Sequence, residues 1–171
     1  MTAATGSSAA ALAAMPLTVD VDRSDVSGDL PSDADINAWI GRALAAGRDA
    51  SGRAVEVAVR IVAEDEMQAL NSAYRGKDAP TKVLAFPAAT VDGLPPDAPQ
   101  PLGDIVVCAA VVAREAVEQS KQAADHWAHL LVHGTLHLVG FDHVDAVEAT
   151  AMESLERRIL AAAGIGDPYA A

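Results

Sequence analysis

Cysteine is nearly missing from this 171-residue chain: there is one, Cys108. A single thiol closes no internal disulfide, so nothing points to an oxidising compartment. Its place in the apolar run Ile105-Val106-Val107-Cys108-Ala109 marks it as a buried core thiol. Aromatic residues are scarce too, at 4%, and much of the 51% hydrophobic content is alanine and valine. The core is therefore expected to be built from small side chains and closely packed helices. No apolar run reaches the ~18 residues of a membrane span. The first fourteen residues carry no Lys or Arg and lack the basic leader and compact apolar block of a signal peptide. Residues 1–14 read as a flexible tail, and the expected location is cytoplasmic, with no membrane partner. Positive charge is also short, with 12 Lys and Arg against 24 Asp and Glu and a net charge of −12. Broad nucleic-acid grips are driven by phosphate neutralisation and need a basic face. Any contact with RNA must then be local, or helped by a partner.

What is present is periodic. Val55, Val57, Val59 and Ile61 alternate with Glu56, Ala58 and Arg60, the pattern of a half-buried strand over 54–62. Weaker alternation at Leu17, Val19 and Val21 predicts a first strand, and short apolar runs predict strands at 83–86 and 104–108. The five prolines of residues 87–101 predict a loop between those two. Ser32 is an N-cap for a helix to about Ala46, with Asp33 and Asp35 favoured in its first turn. Helical spacing follows over 64–74, 109–119, 122–139 and 147–162, with Gly76 ending the first of these and Asp145 capping the last. The expectation is an α+β fold: a small mixed β-sheet packed against helices, as one domain over 15–165 with a frayed end at 166–171.

All five histidines fall between residues 126 and 143. Their centre is His133-Gly-Thr-Leu-His137-Leu-Val-Gly140-Phe-Asp-His143. Residues four apart share a helix face, so His133 and His137 can fill two corners of one coordination shell. Gly140 can take the left-handed conformation that ends a helix, and the returning chain can bring His143 to a third corner. A fourth position left for water or substrate marks a catalytic site rather than a structural one. Three imidazoles suit one zinc ion, although nickel, copper and cobalt use them as well. His126 and His129 read as non-ligands, His129 being the better substitute. Asp142 and Asp145 are candidates to orient a ligand's second nitrogen. The spacing is similar to that of the metzincin proteases, but those need Glu directly after the first His as general base. Here that position is Gly134.

Three of the twelve Lys and Arg residues, Arg75, Lys77 and Lys82, lie within eight positions. A guanidinium there can clamp a phosphate and stabilise developing charge. The segment Leu70-Asn71-x3-Tyr74-Arg75-Gly76-Lys77-Asp78-x-Pro80-Thr81-x-Val83-Leu84-x-Phe86-Pro87, the run Leu102-Gly103-Asp104-Ile105 and the three-histidine motif together resemble the YbeY family. The resemblance covers most of residues 56–163. It implies a metal-dependent endoribonuclease that prefers single strands, acting in ribosomal RNA maturation at the small-subunit 3′ end and in ribosome quality control. It implies an α+β fold with zinc on a helical layer, His133, His137 and His143 as ligands, and Arg75 as the catalytic or phosphate-binding arginine. The chain departs from the family in having Ala85 where Ser is usual, and Lys82 where Asp or Asn is frequent.

On this reading zinc activates water or polarises a phosphoryl oxygen, and Arg75 stabilises the transition-state charge. Whether water or the RNA's own 2′-hydroxyl attacks is left open. A local groove of Arg75, Lys77 and Lys82, with Arg60 or Arg114, would take single-stranded RNA. The acidic remainder would leave targeting to the small ribosomal subunit or its assembly factors. Two alternatives stand beside it. One is another zinc hydrolase, a peptidase or amidase, with a base such as Asp142. The other is a non-enzymatic ribosome-assembly factor whose metal only braces the fold.

Overall fold

The alternating valines of residues 55–62 form the second of four strands in the computed structural model, which describes residues 16–47, 53–89, 92–142 and 144–170. The expected tail at 1–14 and the third histidine, His143, lie outside the described residues. In chain order the elements are β1 (Leu17–Asp22), α1 (Asp33–Gly47), β2 (Val55–Val62), α2 (Glu64–Arg75), β3 (Val83–Pro87), β4 (Gln100–Cys108), α3 (Ala109–Glu118), α4 (Ala123–Leu138) and α5 (Ala146–Ala162). The sheet order is β1-β2-β4-β3. β1, β2 and β4 run parallel, and β3 is an antiparallel edge. This is the small mixed sheet of an α+β fold.

Strand period two sorts the sheet into two faces. Val55, Val57, Val59, Ile61, Ile105 and Val107 pack against Ile36, Ile40 and Leu44 of α1 and Trp127, Leu130 and Leu131 of α4. Val62, Leu84, Val106 and Cys108 turn the other way and meet Met67 of α2. A second layer forms where Ala128, Val132 and Leu136 of α4 meet Met152, Leu155, Ile159 and Leu160 of α5. α4 is thus enclosed by the sheet, α1 and α5, which explains why it is apolar almost all round. Cys108 is buried and free, and burial raises its thiol pKa, as fits an inert core residue.

The expected helix caps are present. Ser32 Oγ accepts from the Asp35 amide at 3.1 Å. Asp145 accepts from the Glu148 amide at 2.8 Å. Gly76 closes α2 at φ +69°.

The proline-rich stretch departs from expectation. β4 begins at Gln100, four residues before the predicted strand, with Pro101 inside it. The register explains how. Glu56 pairs with Pro101 and Val57 with Gly103, so Leu102 is an extra residue in a bulge. Gly103 sits at φ +136°, and a Cβ there would lie 2.2 Å from the Phe86 carbonyl oxygen and 2.9 Å from Leu138 Cδ2. Both strain and overlap penalise any side chain. Gly103→Ala is expected to cost about 3 kcal/mol, read as a lower urea midpoint at unchanged slope.

Candidate metal centre

Four histidines of α4 (126, 129, 133 and 137) are spaced three, four and four residues apart, which keeps them on one side of the helix. Their rings form a ladder with successive centroids 6.3, 6.0 and 4.6 Å apart. Each rung meets a different partner. His126 Nε2 lies 3.3 Å from Glu115 of α3. Burial lowers its pKa and holds the imidazole neutral, against the pull of that carboxylate. His129 Nε2 lies 3.2 Å from Glu156 Oε2 of α5. His133 Nδ1 lies 2.6 Å from Glu156 Oε1. His133 Nε2 then faces His137 Nε2 at 3.1 Å.

That last distance is a test of fit. Two nitrogens bound at about 2.0–2.1 Å in a tetrahedral shell lie about 3.3 Å apart. The 3.1 Å separation is compatible with the two imidazoles sharing one ion. The Nδ1–H of His133 donates to Glu156, which fixes the tautomer and leaves Nε2 with its lone pair. Gly140 has φ +105°, and the Phe141 amide returns to the Leu136 carbonyl at 3.0 Å, so the chain turns back after α4 as expected.

His129, His133 and Glu156 also bring three potential donor atoms within 4.8 Å of one another, a group that could hold a metal ion. Its inner distance of 2.6 Å between His133 Nδ1 and Glu156 Oε1 is that of a charge-assisted hydrogen bond. It is shorter than two ligands of one tetrahedral ion allow.

Glu156 is the site residue that the sequence reading missed. It is 0% exposed. Burial alone would raise its pKa, but hydrogen bonds from His129, His133 and the Tyr169 hydroxyl outweigh that and bring it to about 2. A signal existed. Met152, Leu155, Glu156 and Ile159 share the core-facing spacing of α5, so a carboxylate stands where a hydrophobe belongs. Asp145, read from the sequence both as a cap and as a candidate to orient a ligand, caps α5.

The basic residues divide. Lys82 lines a cavity of about 310 Å³ with His129, His133, Glu153, Glu156 and Tyr169. It lies 3.6 Å from Glu115. Arg75, in the last turn of α2, and Lys77 are exposed and do not line that cavity. Arg60 is paired with Glu66, and Arg114 with Glu64 at 2.8 Å. Those two are held by carboxylates of the chain itself, so the free cationic stretch is narrower than expected. Gly134, which stands where a metzincin carries its base, faces the sheet: a Cβ there would lie 2.9 Å from Ile105 Cγ2.

Sheet, enclosed helix and histidine ladder define an α+β protein with a candidate metal centre on a buried helix. A family model described as Endoribonuclease YbeY matches residues 23–164. The endoribonuclease YbeY of Halorhodospira halophila is 63% identical over 121 residues, covering 71% of this chain and 79% of that protein. That of Chromohalobacter salexigens is 50% identical over 158 residues, covering 90% and 99%. The solution structure of a Thermotoga maritima protein aligns with TM-score 0.53 at 22% identity, over 91% of this chain and 99% of that one, a likeness of fold. The chain belongs to the endoribonuclease YbeY family. Membership makes it an endoribonuclease, a hydrolase of RNA phosphodiester bonds.

Proposed function

We propose that this chain cleaves single-stranded RNA at one zinc ion held by His133, His137 and His143, in small-subunit ribosomal RNA maturation and ribosome quality control. The observation that carries the reading is the 3.1 Å separation of His133 Nε2 and His137 Nε2, with the other nitrogen of His133 tied to a buried carboxylate. An ion there supplies Lewis acidity for phosphodiester hydrolysis. The chain supplies the rest. Glu156 orients His133. Lys82, beside the histidines, attracts a phosphate. Arg75 and Lys77 clamp the RNA backbone, and Arg75 neutralises charge that develops on the phosphoryl group. The acidic remainder keeps bulk RNA away and leaves targeting to the small subunit or its assembly factors, in the cytoplasm. No helix among the described residues is long and apolar enough to cross a membrane.

Gly134 bears on the peptidase alternative. A glutamate base at that position would be driven into Ile105 rather than toward the ring nitrogens.

The test is cleavage of a labelled single-stranded ribosomal RNA fragment, with metal content measured on every sample. Arg75→Ala is expected to slow cutting roughly 10²–10³-fold, the usual loss of one charge-stabilising group, while keeping its metal. Chelated wild type is expected to be inactive. Cutting that survives both changes would remove the catalytic reading.

A further inference from the structure

The C-terminal segment, whose residues 166–171 read as a frayed end, is tied back across the histidine ladder as far as Tyr169. After α5 the chain turns through Gly164 at φ +81°. Arg157 Nε meets both Asp167 carboxylate oxygens at 3.1 Å. Asp167 Oδ1 in turn accepts the Tyr169 amide at 2.8 Å. Lys121, between α3 and α4, donates to the Pro168 carbonyl at 2.8 Å. The Arg157 guanidinium carbon lies 5.2 Å from the Tyr169 ring centroid, a cation–π contact. These ties aim the phenol inward. Its hydroxyl donates to Glu156 Oε2 and lies 3.3 Å from His129 Nε2, while its ring meets the His129 ring edge-on at 5.2 Å.

We propose that Tyr169 is a positioning residue of the metal centre: held by the Arg157–Asp167 and Lys121–Pro168 contacts, it fixes the Glu156 carboxylate so that Oε1 stays on His133 Nδ1. The proposal rests on His133 being a ligand. A carboxylate has two oxygens and can turn about its terminal bond. Oε2 is occupied by His129 and Tyr169, so the plane of the group is set from that side. Oε1 is then left for the single bond that orients His133. Burial and the neighbouring Glu156 charge raise the Tyr169 pKa, so the hydroxyl stays a donor at working pH. The phenol is also a wall of the cavity beside the histidines. A loosened segment would open that cavity to water as well as free the carboxylate.

Zinc affinity decides this, measured by competition with a chromogenic chelator on metal-stripped full-length protein. Tyr169→Phe keeps the ring and removes only the hydroxyl. It is expected to weaken zinc binding about tenfold, the lower range for loss of a group supporting a ligand, with the unfolding midpoint of the metal-free protein nearly unchanged. Asp167→Asn, which loosens the segment without touching Glu156, is expected to weaken zinc in the same direction by a smaller factor. Wild-type affinity in Tyr169→Phe overturns the proposal and leaves the metal site standing. A wild type that binds no zinc overturns both. A zinc loss matched by an equal loss of metal-free stability would make Tyr169 a folding residue only, and that also overturns it.

Discussion

His137→Ala is expected to abolish metal retention and RNA cleavage together while the domain stays folded. His137 is half-buried on the last turn of α4, and its Nε2 faces His133 Nε2 at 3.1 Å. Replacing it removes one of two nitrogens that converge among the described residues. Loss of a supporting group typically costs 10–100-fold in metal affinity, and loss of a direct ligand costs more than that. The effect on zinc is therefore expected to exceed roughly 10²-fold, and cleavage should fall with it. The fold should tolerate the change, because α4 is anchored by Trp127, Leu130, Leu131 and Leu136, none of which touches the imidazole's role. The measurement is metal content by mass spectrometry beside circular dichroism, with His129→Gln run in parallel. His129→Gln is expected to keep its metal, since that imidazole bonds to Glu156 rather than facing His137. The opposite pattern, metal lost with His129 and kept without His137, would move the ion to the His129–His133–Glu156 group.

Much of the fold was legible because local rules and tertiary context agreed. The alternation of Val55 to Ile61, the caps at Ser32 and Asp145, and the left-handed Gly76 each lie where the sequence places them. The histidine pair was legible for the same reason, since spacing of four on a helix is a local fact. β4 was less so. Prolines hide a strand, and Pro101 is admitted only because a bulge at Leu102 and Gly103 breaks the ladder there. That depends on pairing with β2, which no local pattern reveals.

The support of the site was the least legible part. Glu156 sits among Glu153, Arg157 and Arg158, and so resembles one more charge on a solvated helix face. Only its phase relative to Met152 and Ile159 sets it apart. Tyr169 is two residues from the end of the chain, and its contacts with α4 and α5 arise from a return of the segment across both helices. Lys82 behaves likewise: composition marks a basic turn, and only the packing of β3 beside α4 brings that lysine to the cavity of His133. The helical spacing of the imidazoles can be read from the sequence, but the groups that meet them come from elsewhere in the chain.

Glu156→Ala is expected to be the most destabilising change at the centre. The carboxylate is 0% exposed and is met by His133 Nδ1, His129 Nε2 and the Tyr169 hydroxyl. Its removal leaves these donors facing a cavity without an acceptor, at about 1–3 kcal/mol for each group that finds no new partner. Breaking a buried charged pair from one side costs about 3–5 kcal/mol, and we expect the total for Glu156→Ala in that range. Glu156→Gln keeps the shape and one acceptor oxygen, so it should lose less stability while still losing the negative charge that faces His133 Nδ1. Urea denaturation of metal-free and zinc-loaded samples separates the two roles. Zinc binding to the native state adds stability in proportion to RT ln(1 + [L]/Kd). The gap between loaded and metal-free curves should therefore shrink in both variants, while the metal-free curve itself falls much further in Glu156→Ala than in Glu156→Gln. If Glu156→Ala unfolds within about 1 kcal/mol of wild type and shows the full zinc gap, the carboxylate neither holds the ladder together nor orients His133, and the centre must be supported by other groups.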